Sequence, residues 1–211
     1  NPLSEIDHLR RLSVFGPNGL TRERASFSIR DINSSQYSRI DPVRSPEGPN
    51  IGLVTYLALY SHVNKFGFLE APYRKVTKIK TATKTKVKVT DEIVYLSAQD
   101  EEQYRISSSD LHLDNHGFMV EDWLPFRYRG AFTEGPTDQL DFVDMVPRQV
   151  VGTSAALIPF LAHDAANRAL MGTNMQTQAV PLLTPESPIV GTGMEVAAAS
   201  AMGWTVNARH S

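Results

Sequence analysis

Ser45-Pro46-Glu47-Gly48-Pro49-Asn50-Ile51-Gly52-Leu53 commits two prolines and two glycines to nine residues. Proline holds φ near one value and biases the residue before it away from helix, so Ser45 and Gly48 are expected to be extended or turning. The glycines admit conformations or close approaches that a Cβ would block. A loop of this kind presents Glu47, an acceptor, and Asn50, a donor and acceptor, at set positions. Taken alone, the run also reads as a tight connector between strands.

The flanking patterns give the loop a setting. Leu3, Ile6, Leu9 and Leu12 are spaced for a short helix over residues 3–12 with Ser4 as its N-cap, and Gly16-Pro17-Asn18-Gly19 breaks it. Alternation over residues 25–32 predicts a strand, and the helical spacing of Leu53, Tyr56, Leu57 and Tyr60 predicts a helix over residues 51–63. From residue 78 to 88, lysines alternate with Ile, Thr and Val, a β pattern that fits a hairpin. Short strands are expected at 92–98, 104–106, 117–121 and 124–128, with a further alternating run over 141–146. Asp164 is positioned to cap a helix that runs from 165 and ends at Gly172. Beyond it, Pro181, Pro185, Pro188 and Gly191-Thr192-Gly193 predict a loop-rich ending.

Composition narrows the class. A hydrophobic share of 41% in 211 residues supports one sizeable core or two small ones. No apolar run approaches a membrane span and no secretory leader is recognisable. The chain has no cysteine, which excludes disulfides and thiolate zinc sites and suits a reducing compartment. Opening at Asn1-Pro2 and closing at Arg209-His210-Ser211, it reads as a piece excised from something larger. The net charge of −2 argues against a grip on nucleic acid through bulk electrostatics. Its distribution is uneven: residues 65–88 carry eight Lys/Arg against one Asp/Glu, and residues 89–145 carry three against thirteen. The acidic part would repel a phosphate backbone, so nucleic-acid contact is expected on the flanking segments.

Five blocks, in order, carry a resemblance. They are Asn1-Pro2-Leu3-Ser4-Glu5-Ile6 with His8-Leu9-Arg10-Arg11-Leu12-Ser13; Gly16-Pro17-Asn18-Gly19-Leu20-Thr21-Arg22-Glu23-Arg24; the 45–53 loop; Gly67-Phe68-Leu69-Glu70-Ala71-Pro72-Tyr73-Arg74-Lys75; and Asn167-Arg168-Ala169-Leu170-Met171-Gly172-Thr173-Asn174-Met175-Gln176. Together they resemble the middle of the β subunit of bacterial-type, multi-subunit DNA-dependent RNA polymerase. The resemblance implies an α+β chain in three parts: a mixed fork region with short helices over 1–75, an inserted, mainly-β external lobe over 76–145, and over 146–211 the loop-rich beginning of the hybrid-binding region with one short helix.

The same resemblance assigns roles. Residues 16–24 look like the fork loop, where downstream duplex DNA separates. In an extended tip Arg22 and Arg24 would share a side and reach phosphates or an unpaired base; an ordinary surface loop with Glu23 paired internally is the alternative. His8, Arg11, Ser13 and Phe15, with Pro46, Glu47 and Asn50, match positions lining the wall beside nascent RNA, where rifamycin antibiotics bind. Arg168 matches the arginine that reaches the triphosphate of the incoming nucleotide, and Gln178 a position close to the RNA–DNA hybrid. Phe15 stands where many relatives carry leucine, and Thr177 where many carry arginine.

No metal site is expected. The densest acids, Asp100-Glu101-Glu102 and Glu121-Asp122, lack the spaced aspartate triad of a polymerase metal centre, which the resemblance places in the partner β′ subunit, and the histidines show no ligand spacing. The chain is therefore expected to bind no cofactor of its own, with Mg²⁺ supplied in the parent enzyme through another subunit. Expected partners are DNA, RNA, ribonucleoside triphosphates, β′ and the other polymerase subunits, and transcription factors at the external lobe, with no membrane. The expected setting is the cytoplasm, at a bacterial nucleoid or in a plastid. The parent would be a nucleotidyltransferase and the isolated chain inactive. Two other readings stay open: a stand-alone nucleic-acid-binding module using the lysine strand, and a lobe that binds protein factors through its acidic face. For the lysines themselves, a solvated edge strand that blocks edge-to-edge pairing is the alternative to a nucleic-acid footprint.

Overall fold

The computed structural model describes residues 1–80, 85–204, 206 and 208. Thr81, Thr83 and Lys84 of the lysine alternation, and the closing Arg209-His210-Ser211, lie outside the described residues. In chain order the elements are α1 (Pro2–Leu9), β1 (Arg11–Ser13), α2 (Phe27–Arg30), β2 (Val54–Tyr56), β3 (His62–Val63), β4 (Leu69–Lys80), β5 (Thr85–Ser97), α3 (Ala98–Glu101), β6 (Ile106–Ser107), β7 (Trp123–Tyr128), β8 (Ala131–Pro136), β9 (Phe142–Asp144), α4 (Ala166–Gln176) and α5 (Glu195–Ala201). The fold is α+β. Two compact units divide it: residues 1–33, 40–59 and 150–211 form one, and residues 34–39 and 60–149 the other.

The second unit is built on a seven-stranded sheet in the order β3-β4-β9-β6-β7-β8, with β5 paired to β4. Its pairs are antiparallel except for β6 and β9, which run parallel. Alternation puts Val76, Val87, Leu124, Phe126, Leu140 and Val143 into one buried cluster, and Ala71, Tyr73, Leu96, Ile106 and Phe142 into another. The lysine-rich alternation forms the expected hairpin, with a register shift between Arg74 and Val76. Its lysines do not share a face. Cross-strand partners point the same way, and Lys78 lies opposite Val87, Ile79 opposite Lys86 and Thr77 opposite Lys88. Lys78 and Lys80 therefore leave one side of the ribbon and Lys86 and Lys88 the other. Lys78 Nζ meets Asp141 Oδ1 at 3.2 Å, whereas Lys86 and Lys88 stand 5.8 and 5.7 Å from the Phe118 ring centre.

Other β expectations contract or shift. Residues 117–121 contribute only isolated bridges, Lys88↔Phe118 and Leu113↔Met119. β8 was not foreseen: Arg129 and Gly130, at φ +51° and +74°, turn the chain so that β8 folds back on β7.

Between the sheet and the segment 34–39 lies a buried network of charge. Glu101 receives Arg39 Nη1 at 2.6 Å and Arg127 Nη1 at 3.1 Å, and Arg127 Nη2 also donates to Asp144 Oδ1 at 2.9 Å. Tyr37 and Tyr73 donate their hydroxyls to Asp144 and Glu101, and the Arg127 guanidinium lies 3.5 Å from the Tyr37 ring centre. Burial pushes both phenols well above the ordinary tyrosine range, with Asp144 adding to the shift at Tyr37 and Glu101 at Tyr73. Burial also raises the Asp144 carboxyl, a shift that Arg127 opposes.

Several expectations change in the first unit, each according to where the backbone groups find their partners. The first helix starts earlier than Ser4, because Asn1 Oδ1 accepts from Leu3 N at 3.0 Å and Pro2 suits the first turn. It ends at Leu9, and Leu12 passes into β1. The helix expected over 51–63 is absent: β2 pairs with β1, Leu57 N donates to Arg10 O, and Leu59 N to Val151 O. The strand expected over 25–32 has no partner strand, and residues 27–30 close into α2 with Phe27 and Ile29 exposed. At α4 the cap is Ala165 rather than Asp164, which is extended, and the helix passes through Gly172 to Gln176. The additional helix α5 lies in the loop-rich ending, where Glu195 Oε1 accepts from Thr192 N at 2.7 Å, a reach-back that Thr192-x-x-Glu195 encodes.

Arg127→Ala is expected to destabilise the chain by about 3–5 kcal/mol, because it leaves Glu101 and Asp144 buried with less compensation. A carboxyl raised by folding costs nothing below the ordinary aspartate range and penalises the folded state as pH rises through its folded value. Losing Arg127 raises Asp144 further, so the deficit, read from denaturant midpoints, grows from acid to neutral pH. A deficit independent of pH would count against this account.

Candidate functional site

The 45–53 loop lies in the first unit and is held by its own backbone. Ile51 N donates to Gly48 O and Leu53 N to Asn50 O, while Ser45 Oγ accepts from Gly52 N at 3.1 Å. Gly48 and Gly52 adopt φ of +92° and +73°. At Gly52 a Cβ would stand 2.6 Å from the carbonyl oxygen of Arg30, so this glycine is required twice over. Arg30 Nη1 donates to Pro49 O at 2.7 Å and Ile51 O at 2.9 Å, and Arg22 Nε donates to Asn50 Oδ1 at 2.9 Å. Two arginines from the 22–30 segment thus brace the loop from outside.

The pairing of β1 with β2, extended by Val14 N donating to Leu53 O, brings the 8–15 segment beside this loop. Arg11 and Ser13, two residues apart on β1, share a face and are exposed, as is His8 in the last turn of α1. Phe15 is half-buried, with the Arg22 guanidinium 5.9 Å from its ring centre. Residues 22–24 form a 3₁₀ turn rather than an extended tip. With three residues per turn, Arg22 and Arg24 diverge instead of sharing a side. Arg22 is engaged by Asn50 and Phe15, and Arg24 is exposed.

A cavity of about 630 Å³ in this unit is lined by Arg44, Glu47, Arg168, Met171, Asn174, Met175, Thr177 and Gln178. It gathers Glu47, Arg168 and Gln178 into one wall; His8, Arg11, Ser13, Phe15, Arg22, Arg24, Pro46 and Asn50 lie outside its lining. Arg168 is exposed on α4, its Nη1 3.9 Å from Met171 Sδ. Gln178 follows the end of that helix, where its N–H donates to Met175 O.

Arg44 and Asn174 were not anticipated. Arg44 is 7% exposed; Nη1 donates to Asn174 Oδ1 and Nη2 to Thr177 Oγ1 at 3.3 Å, and the guanidinium lies 4.8 Å from the Tyr56 ring centre. Its Nε faces Asp7 Oδ2 at 3.5 Å without hydrogen-bond geometry, an ion pair by charge alone. Asp7, 4% exposed, accepts from Thr153 Oγ1 at 2.6 Å and Ser154 Oγ at 2.5 Å. The available signal was a polar residue on the apolar side of α1, where a buried carboxylate needs donors. Asp41 is a second buried acid; burial raises its carboxyl, which accepts from Val43 N and Gly152 N.

Among the described residues, no cluster of three or more His, Asp or Glu side chains could hold a metal ion, and no helix is long and apolar enough to cross a membrane.

Residues 1–63 match the family model of RNA polymerase Rpb2, domain 3, and residues 73–145 match that of the RNA polymerase beta subunit external 1 domain. Arranged consecutively, the two matches take in more than half of the sequence. The chain belongs to the β-subunit family of multi-subunit, DNA-directed RNA polymerases. It is accordingly a component of a nucleotidyltransferase assembly built with other subunits.

Gly52→Ala is expected to destabilise the chain by about 1–3 kcal/mol, since the new Cβ meets Arg30 backbone and φ is positive. The measurement is the thermal midpoint, accompanied by faster proteolysis within residues 45–53; a wild-type cleavage pattern would show that the loop does not depend on this contact.

Proposed function

We propose that this chain is the central part of the β subunit and that its work in transcription is positional. The fork region (1–75) contacts the downstream DNA fork, the external lobe (76–145) offers a surface to transcription factors, and residues 146–211 begin the region that meets the RNA–DNA hybrid. In this reading Arg168 contacts the triphosphate of the incoming nucleotide. An arginine's planar fork matches phosphate oxygens, and its charge offsets what accumulates on the leaving pyrophosphate. The observation that carries the reading is the shared cavity: Arg168, Glu47 and Gln178, drawn from segments more than a hundred residues apart, converge on one space large enough for a nucleotide.

The 3₁₀ turn at residues 22–24 separates the roles of its arginines. Arg22 holds the tip against Asn50 and Phe15, and Arg24 reaches the DNA backbone. His8, Arg11, Ser13, Phe15, Pro46, Glu47 and Asn50 form the RNA-side wall and the rifamycin pocket, with β1 presenting Arg11 and Ser13 together. The metal ions of the reaction come through another subunit, so the isolated chain does not polymerise nucleotides. The split of the lysines between two faces of the β4–β5 hairpin weighs against that ribbon as a phosphate-tracking surface. The assembly acts in the cytoplasm, at a bacterial nucleoid, or in a plastid.

Arg168→Ala, introduced into polymerase assembled with the full-length β subunit, is expected to raise the apparent KM for nucleotides by about tenfold, the equivalent of one charge-assisted contact. DNA binding should change little. Steady-state kinetics checks both, and unchanged nucleotide kinetics would defeat the assignment.

A further inference from the structure

We propose that Arg44 and Asn174 form a latch that holds the Glu47 carboxylate off Arg168, making Arg44 a positioning residue for nucleotide binding. The proposal rests on the reading of Arg168 given above and adds a regulation of charge within the same cavity.

Arginine has only donors, so the Asn174 atom facing Arg44 Nη1 is the amide oxygen. That contact fixes the amide's orientation. Its NH₂ group is thereby turned toward two acceptors, Ser45 O at 3.2 Å and Glu47 Oε1 at 3.3 Å. Arg44 cannot easily move, because Asp7, the Tyr56 ring and Thr177 Oγ1 surround its guanidinium. The order of control runs from a buried cation, through a rigid amide, to an exposed carboxylate.

Glu47 is exposed at the tip of its loop and lines the same cavity as Arg168, whose guanidinium is also exposed. Two guanidiniums line that space, and the Arg44 one is engaged by Asp7 and Thr177, so a Glu47 carboxylate released from Asn174 meets Arg168 as its exposed cation; an Arg168–Glu47 pair would neutralise the charge that a triphosphate needs. Bound to Asn174, the carboxylate is spent on a neutral amide and Arg168 keeps its charge. Thr177 contributes by accepting from Arg44 at the C-terminal end of α4, where a cation is also favoured by the helix dipole.

The test uses polymerase assembled with full-length β subunit and reads the apparent KM for ribonucleoside triphosphates. Arg44→Ala and Asn174→Ala are each expected to raise KM about three- to fivefold, with kcat little changed. Arg44→Ala also strips Asp7 of its cation and can fail to fold; Asn174→Ala keeps that pair and carries the same test. Adding Glu47→Gln removes the charge that the latch restrains. The double variant Asn174→Ala/Glu47→Gln should therefore have a KM within about twofold of Glu47→Gln alone. A merely structural brace would not be rescued in this way. Arg168→Ala is run in parallel. If it leaves KM unchanged, the nucleotide reading falls and the latch with it. If it raises KM while Asn174→Ala does not, or if Glu47→Gln fails to restore the double variant, the latch alone is overturned.

Discussion

A carboxylate sealed from water must be met by donors, and Asp7 is met by three residues from two distant segments. Thr153 and Ser154 supply hydroxyls from nearly 150 residues away, and Arg44 supplies charge from the residue next to the proline-rich loop. Breaking any one contact leaves a buried polar group short of a partner, a penalty larger than the contact's own worth. Among its described residues the first unit has little regular sheet to define it, only the two short strands β1 and β2. Its order comes from this carboxylate and from Asp41, which draws Gly152 N onto a second loop in the same manner. The positions of Arg44, Asn174 and Glu47 follow from where Asp7 has to sit.

The second unit is held by a different balance. Its sheet supplies two apolar clusters, yet Arg39, Glu101, Arg127 and Asp144 are enclosed beside them. Enclosing charge is costly, and each of the four has an oppositely charged partner within hydrogen-bond reach. Burial alone would lower the Arg127 guanidinium, but Asp144, Tyr73, Glu101 and Tyr37 around it raise it. Such a network tolerates one geometry, which ties the 34–39 segment to the sheet more selectively than apolar packing would.

Alternation was readable in the sequence for β4, β5 and β7, but not for β1, β2 or β8, which also found partner strands. β7 follows its pattern, with Leu124 and Phe126 buried on alternate positions, and β4 and β5 follow theirs by pairing with each other and sending Val76 and Val87 into the same core. Residues 25–32 also alternate, less cleanly at Asp31, but with no neighbour to pair with, residues 27–30 became a helical turn. Residues 51–63 show helical spacing, yet Gly52 and the bonds to Arg10 and Val151 impose an extended path. The rigidity of the 45–53 loop could be inferred from its prolines and glycines. Its bracing by Arg22 and Arg30 could not, because nothing local marks which arginine meets which carbonyl. The same holds for the cavity: Glu47, Arg168 and Gln178 are identifiable in the chain, whereas Arg44 and Asn174 acquire meaning only from their contacts.

In the loop itself, shape and presented chemistry meet at Asn50, whose amide oxygen is held by Arg22. Backbone turns, Ser45 and the two glycines fix the path, while Glu47 and Asn50 carry the polar groups presented along it. Substitution at the exposed tip can therefore alter the groups that the loop presents without refolding it. Position 47, exposed at the tip, is the more open to such change; position 50 is tied to Arg22 through its amide oxygen, and position 52 is closed by the backbone of Arg30. Adaptation here would leave a patchwork, with variable residues set in an unchanging frame.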